Sequence, residues 1–164
     1  MLSAKTLVGA GVCAFAALQL VPAVPRENPP IQQDRTIENH LDLPPQVKAI
    51  LDRSCRDCHS DETRWPWYAR VAPASWLIAR DVNKARGVMN FSRWSDKADE
   101  KLDRAIGLLT AACTDVTIGR MPKPDYALLH SEAKLTRADI DDFCWWSKSE
   151  GKRLIIARKK KLAK

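Results

Sequence analysis

The sequence predicts an all-α fold for this chain of 164 residues. Through the middle of the chain, apolar residues recur at intervals of three and four, which is the spacing of one helix face. Ser, Thr and Pro residues stand where these periodic stretches begin, as they do at helix N-termini. No stretch reads convincingly as a strand. The length suits one domain with a leader and a tail.

Residues 1–23 read as a signal peptide or a membrane anchor. Lys5 precedes a long uncharged run and the next charged residue is Arg26, which is the order of the basic and hydrophobic regions of an export signal. Val21-Pro22-Ala23 offers small residues for cleavage, whereas the length of the run also suits a bilayer-spanning anchor. We therefore expect an exported, periplasmic protein, soluble or anchored to the inner membrane, in a compartment where disulfides persist.

Residues 24–42 read as an extended, Pro-rich linker because they hold three prolines among polar residues and show no hydrophobic period. The predicted domain covers residues 43–150. Its first helix follows Pro44 and Pro45, which suit a helix start. The residues predicted to point inward from this helix are Val47, Ile50, Leu51 and Cys55.

Cys55-x-x-Cys58-His59 is the pattern for covalent attachment of a c-type haem. A helical turn places Cys55 and Cys58 on one face, so their sulfurs can form thioethers with the two vinyl groups of one porphyrin. His59 offers an imidazole nitrogen to the iron. Zinc is an alternative, but no second Cys-x-x-Cys or His-x-x-x-His completes a four-ligand site. A thioredoxin-like motif would need a βαβ pattern, which is missing here.

Aromatic residues follow this motif directly, in Thr63-Arg-Trp-Pro-Trp-Tyr68. Such residues usually pack in a core. Because the core here would include the porphyrin, Trp65, Trp67 and Tyr68 are predicted to contact the cofactor.

Two further helices are predicted beyond the aromatic segment. Ser75 is the expected N-cap of the first, which breaks between Gly87 and Trp94, and Ser95 is the expected N-cap of the second. The first would use Trp76, Leu77, Val82 and Ala85 as its apolar residues, and the second Leu102, Ala105, Ile106, Leu109, Cys113 and Val116.

The last helix of the domain should begin at Thr136, with Asp139 as the acid of a capping box, and should stop at Gly151. Cys113 and Cys144 remain after the leader cysteine and the two motif cysteines are set aside. We expect them to form a disulfide in an oxidising compartment. The alternative is two buried free thiols, which behave as small apolar side chains.

Met121, in Gly119-Arg-Met-Pro122, is the predicted second axial ligand of the iron, because a thioether suits low-spin haem and the proline restricts the loop. Met89 is a competitor, although it falls in a helical stripe where Met usually fills the core. His130 and His40 are the other candidates, since His is the commonest metal ligand.

The positive charge of the chain is concentrated at its end. The net charge is +7, yet residues 151–164 carry seven basic groups and no acid. Residues 24–150 carry 19 basic and 20 acidic groups, so nothing there supports a nucleic-acid-binding face. The basic tail is expected to dock on an anionic membrane surface or an acidic redox partner, or else to be a frayed helix end or a solvated, disordered segment.

The order of these motifs resembles the small bacterial haem-binding domain family of exported monohaem c-type proteins. The resemblance covers residues 43–147 and implies a cytochrome c-like helical domain wrapped around one haem, which is bound through Cys55 and Cys58 and ligated by His59 and Met121. The motifs that carry it are Cys-x-x-Cys-His-Ser, Thr-Arg-Trp-Pro-Trp-Tyr, Pro-Ala-Ser-Trp-Leu, Asp81-Val82, Asn90-Phe91-Ser92-x-Trp94, Gly-x-Met-Pro-x-x-x-Tyr126 and His130.

These observations favour a monohaem electron-transfer protein of the cell envelope that exchanges electrons with a redox partner protein. A haem with His and Met ligands has little room for substrate, and Met ligation raises its potential. The alternative is a peroxidase-like enzyme or a gas or redox sensor in which the second ligand is displaced. A third possibility is an interaction module that haem merely stabilises. No carboxylate pair, Ser/His/Asp set or phosphate-binding loop argues for separate catalysis.

Overall fold

The computed structural model describes residues 3–22, 25–98 and 102–163, and within these ranges it contains helices and no strand. The predicted all-α class is therefore confirmed. The α-helices are α1 (Ala4–Gln19), α2 (Ile37–His40), α3 (Pro45–Ser54), α4 (Arg56–His59), α5 (Ala74–Val88), α6 (Ser95–Ala98), α7 (Leu102–Thr117), α8 (Pro124–Leu129) and α9 (Arg137–Leu162). Short 3-10 turns lie at Gln33–Arg35, Trp67–Arg70, Phe91–Arg93 and Ser131–Ala133.

The core forms where α9 packs against α7 and α3. Each of these helices contributes an apolar stripe, and burial of one large aliphatic or aromatic side chain stabilises the fold by about 1.5–3 kcal/mol. The buried core residues are Ile37, Leu41, Val47, Ile50, Leu51, Phe91, Trp94, Ala105, Leu109, Val116, Phe143, Cys144 and Trp146. The predicted start of α3 is confirmed, since Pro45 occupies its first turn.

The segment predicted as an extended linker is partly core. Ile37 and Leu41 are only 1% and 4% exposed, because a short helix places these residues, four apart, on one face. Upstream, the guanidinium of Arg86 donates to the Glu27 carbonyl at 2.7 Å and to Asn28 Oδ1 at 2.8 Å. Residues 24–42 were predicted as an extended linker, but these contacts show that part of the segment packs on the domain.

Helix α1 lies outside the core and has no buried residue. It contacts the rest of the protein through Gln19, which accepts from the Ala72 N–H at 2.9 Å and donates to the Ala72 carbonyl at 3.3 Å. Within the part of the chain that the structure describes, no helix combines the length and apolar character needed to cross a membrane.

Helix α5 begins two residues earlier than predicted. Ser75 donates its N–H to the Val71 carbonyl at 2.9 Å, so it already lies inside a helical turn and Pro73 is the N-cap residue. The helix ends at Val88, as expected near Gly87, but Leu77 is exposed and not an inward residue.

Helix α9 starts as predicted but does not stop at Gly151. Thr136 and Asp139 form the expected capping box. Gly151 has a helical backbone and is buried near Ile106. The helix continues because Leu154 packs against the core, and it reaches Leu162.

Replacing Asp139 by Asn should lower the stability by about 1 kcal/mol at neutral pH, because the carboxylate caps α9 and pairs with Arg53 at 2.7 Å. Burial alone would raise the pKa of Asp139, but hydrogen bonds from Arg53 and Thr136 bring it below its ordinary value of 3.8. Its stabilisation is therefore complete above that value and is lost as the pH falls through the lower, folded-state pKa. Denaturation curves should therefore show that the stabilities of the two proteins converge below about pH 4. A stability difference at about pH 2 as large as that at neutral pH would contradict this.

The predicted disulfide between Cys113 and Cys144 is present and joins α7 to α9, with a Cα separation of 5.0 Å. Replacing both cysteines by Ala should lower the free energy of unfolding by about 3 kcal/mol, because the bond closes a loop with a sequence separation of 31. Urea denaturation of the haem-loaded protein measures this loss. Cys13→Ala is the control. If the urea midpoint of the double variant equals that of the unaltered protein, the bond contributes nothing to stability.

Candidate functional site

A cavity of about 590 Å³ lies between α3, α4, α5, α7 and the loop before α8. This volume is in the range of cofactor sites in proteins. Its wall is largely apolar, with charged side chains near part of it. The aromatic residues that line it are Phe91, Trp94, Tyr126, Phe143 and Trp146.

The Cys-x-x-Cys-His motif delivers all three of its side chains to this cavity. Helix α3 ends at Ser54, and Cys55 leaves the helical conformation before α4 begins. The Cys55 carbonyl then accepts the N–H of His59 at 2.9 Å and that of Cys58 at 3.2 Å. This single tight turn holds two thiols and one imidazole against the same wall.

Both motif cysteines are free thiols. Burial raises the pKa of Cys55 to about 12 and that of Cys58 to about 11, so both thiols are protonated at neutral pH. A structural zinc site takes four ligands. Among the described residues, no three His, Cys, Asp or Glu side chains come together as a metal centre requires. The donor set therefore fits a porphyrin better than a zinc ion.

His59 is oriented by the backbone of the residue after α5. Its Nδ1 lies 3.1 Å from the Met89 carbonyl oxygen, and burial lowers the pKa of the imidazole. A neutral ring that donates from Nδ1 keeps the lone pair of Nε2 available for a metal. This is the arrangement expected of an iron ligand.

Met121 lines the cavity and packs partly against the core. Gly119 takes a positive φ of 69° at the end of α7, which glycine adopts without strain. The N–H groups of Arg120 and Met121 then both donate to the Asp115 carbonyl, at 2.8 and 3.1 Å. The loop predicted to hold Met121 is thus well defined.

The other candidate ligands fall into two groups. Met89 also lines the cavity, although it is not inside α5 as predicted but follows its last residue. His130 does not line it, because its Nε2 lies 3.1 Å from the Tyr68 hydroxyl. His40 does not line it either, and its Nε2 lies 3.0 Å from the Asp34 carbonyl.

The aromatic residues predicted to contact the cofactor are not among those that line the cavity. Trp65, Trp67 and Tyr68 are absent from its described wall, and Trp67 is 78% exposed. Residue spacing alone did not show that the segment after the motif turns away into the Trp67–Arg70 3-10 turn. Two aromatic residues of α9, Phe143 and Trp146, line the cavity.

Asp57 holds the turn of the Cys-x-x-Cys-His motif in place, and it was not among the predicted site residues. Its carboxylate accepts from the Arg64 guanidinium at 3.0 Å and from the Tyr126 hydroxyl at 2.7 Å. Burial alone would raise the pKa of Asp57, but these hydrogen bonds lower it. The Thr63 hydroxyl also donates to the Asp57 carbonyl at 2.7 Å. Only the short distance between Asp57 and Arg64 in the sequence could have suggested this pair.

A second buried group supports the other side of the motif. Arg86 donates from Nε to the Ser60 carbonyl at 2.7 Å, and Asp61 accepts from the Asn90 amide at 2.9 Å. Arg93 lies 2.9 Å from the same Asp61 carboxylate. These contacts tie the end of the motif to α5 and to the residues after it.

Ser54 gives a further indication that the cavity receives a ligand. Ser54 is 6% exposed and lines the cavity. Its hydroxyl has no hydrogen-bond partner among the described residues. Buried polar groups are normally satisfied. An unpaired hydroxyl, two protonated thiols, an oriented imidazole and a thioether together fit a haem.

A family model described as a haem-binding domain matches residues 13–149, most of the chain. The chain belongs to this family. The predicted resemblance is therefore confirmed, and the protein is a haem-binding protein. Comparison with curated proteins and with solved structures found no significant match. The haem-binding domain match includes the cavity, the disulfide and the segment with Ile37 and Leu41, and it ends before the last turns of α9.

Proposed function

We propose that this haem-binding protein is a monohaem, c-type electron carrier of the cell envelope. Its haem would be attached through Cys55 and Cys58, with iron ligated by His59 and Met121. The observation that carries the proposal is that these four side chains line one apolar cavity.

Each residue has a defined task in this proposal. The Cys55 and Cys58 thiols would each add across one vinyl group, so that sulfur bonds to one carbon and its hydrogen passes to the next. His59 presents Nε2 because the Met89 carbonyl holds Nδ1. When bound, haem supplies a reversible one-electron couple. The apolar walls keep water from it, and a Met121 thioether would favour the reduced state.

Carbon monoxide distinguishes a carrier from a sensor or a peroxidase-like enzyme. If His59 and Met121 fill both axial positions, the ferrous protein should show no spectral change when CO is added at neutral pH. The Met121→Ala variant should bind CO and serves as the positive control. Immediate CO binding by the unaltered protein would favour the sensor or peroxidase alternative.

We further propose that the protein is exported, with residues 1–23 acting as the export signal. The disulfide between Cys113 and Cys144 supports an oxidising compartment. Helix α1 has no buried residue, so the core does not need it, and this supports its role as an export signal.

The basic end of α9 is proposed to dock on an anionic surface, either lipid or an acidic redox partner. Exposed basic side chains, among them Arg158, Lys159 and Lys160, occupy its last turns. Each basic group near an anionic membrane contributes about 1 kcal/mol to binding.

Two truncations separate docking from folding. Deleting residues 157–164 should leave the haem spectrum and thermal stability unchanged while weakening, in a salt-dependent way, the binding to vesicles with anionic lipids. Deleting residues 152–164 should also lower stability by about 1 kcal/mol or more, because it removes the packed Leu154 and the Arg153 contacts with Glu150. Equal vesicle binding before and after the shorter deletion would reject lipid docking.

A further inference from the structure

A continuous row of aromatic rings connects the haem cavity to the protein surface. It begins at Tyr126, which lines the cavity. The Tyr126 ring stacks on the His130 ring, with centroids 4.3 Å apart and an interplanar angle of 22°. His130 Nε2 lies 3.1 Å from the Tyr68 hydroxyl, and the Tyr68 ring meets the Trp67 ring edge to face at 5.7 Å.

The outer end of this row is open to solvent. Trp67 is 78% exposed, so a protein that docks on this face can contact its ring directly. Tyr68, His130 and Tyr126 are each partly buried. The row thus runs from a wall of the cavity to the surface without a gap between successive side chains.

We propose that Tyr126, His130, Tyr68 and Trp67 form the electron-transfer path between the haem and a redox protein that contacts the Trp67 face. This inference rests on the proposed electron-carrier function. Electronic coupling decays more slowly through π systems in contact than across empty space, so stacked and hydrogen-bonded rings make a favourable bridge.

One electron leaves a one-electron donor protein at the Trp67 face and arrives on the haem iron, which is reduced from ferric to ferrous. No bond forms or breaks in this step, and no proton is transferred. The rings act as a bridge and are not themselves oxidised. The same path serves in reverse for an acceptor.

The rigid contacts of Tyr126 and His130 suit a bridge. The Tyr126 hydroxyl donates to Asp57 at 2.7 Å, which fixes the ring beside the haem motif. His130 is held from both sides, since its Nδ1 lies 3.5 Å from a Glu132 carboxylate oxygen while Nε2 meets Tyr68. His130 is therefore the link whose removal should break the row.

A photoactive ruthenium label tests the path in the haem-loaded full chain. In a Cys13→Ser background, a cysteine that replaces Arg70 carries the label at the exposed end of the Trp67–Arg70 turn. A second protein carries it at Lys148, which is exposed on α9. Flash photolysis then measures the rate of haem reduction from each label, and the midpoint potential and visible spectrum are recorded for every variant.

From the label at position 70, His130→Leu should slow haem reduction several-fold, because Leu offers no π contact to Tyr126 or Tyr68. His130→Phe keeps a ring on Tyr126 and should retain most of the rate. From the label at position 148, both variants should transfer electrons at the unaltered rate. Trp67→Leu, at an exposed site that the fold does not need, should slow transfer from a reduced redox protein in solution.

Three results would overturn the path. The first is a rate of haem reduction from position 70 that is the same in all His130 variants. The second is a rate that falls equally from both labels. The third is a rate from position 70 that falls as much in His130→Phe as in His130→Leu. If neither label reduces the haem of the unaltered protein, the electron-carrier function itself fails. If the label at position 148 reduces the haem, but the rate from position 70 does not depend on His130, only the path is rejected and the electron-carrier function stands.

Discussion

Replacing Cys55 and Cys58 together by Ser should yield a protein that loses all its haem on acid extraction, whereas the unaltered protein retains it. Both thiols line the cavity and neither is used in a disulfide. Serine keeps the size and shape of the turn but cannot form a thioether. The effect is therefore all or none, and haem staining after denaturing electrophoresis measures it.

The single variants sharpen this test. Cys55→Ser and Cys58→Ser should each retain one thioether, which mass spectrometry of haem-bearing peptides can locate. Cys13→Ser is the matched control and should retain both, because Cys13 lies on the exposed α1. If the unaltered protein loses its pigment in acid, the haem is not covalently attached.

Replacing Met121 by Ala should lower the midpoint potential by on the order of 0.1 V, since axial ligands spread haem potentials over about 0.8 V. The thioether-to-ferric charge-transfer band should disappear with it. The reason is that a thioether stabilises ferrous iron more than water or a vacant position does. Spectroelectrochemical titration gives both readings in one experiment.

Met89→Leu is the control for this prediction. Met89 also lines the cavity, but its contact with His59 is made by its backbone carbonyl, which the substitution keeps. A large fall in potential for Met89→Leu, with none for Met121→Ala, would exchange their roles. His130→Ala should not alter the ligand set, because His130 does not line the cavity.

Local signals in the sequence predicted the parts of the fold that depend on neighbouring residues. The start of α3 at Pro45 and the capping box of Thr136 and Asp139 need only a few adjacent positions, and both are confirmed. The disulfide was predicted by elimination among five cysteines, and it too is present.

The errors arose where distant contacts decide the structure. Ile37 and Leu41 lie among prolines and polar residues, and only their packing on the core makes them structural. Gly151 would end an isolated helix, but the packing of Leu154 carries α9 past it. A local pattern does not contain either of these contacts.

The candidate site was predictable in its chemistry and less so in its surroundings. The Cys-x-x-Cys-His spacing predicted a common wall for Cys55, Cys58 and His59, and the structure places all three on it. Trp65, Trp67 and Tyr68 were assigned to the cofactor because they follow the motif closely. None of the three is among the residues that line the cavity, whereas Phe91 and Trp94 from a later segment do line it.

Proton–carbon NMR of the ferrous protein with 13C-labelled methionine methyl groups tests most directly whether His59 and Met121 hold one haem in this cavity. The sequence contains three methionines, Met1, Met89 and Met121, so the signals can be assigned by substitution. We predict one methyl signal shifted far upfield by the haem ring current, present in Met89→Leu and missing in Met121→Ala. A spectrum in which every methionine methyl keeps its ordinary position, or in which the shifted signal belongs to Met89, would contradict the account.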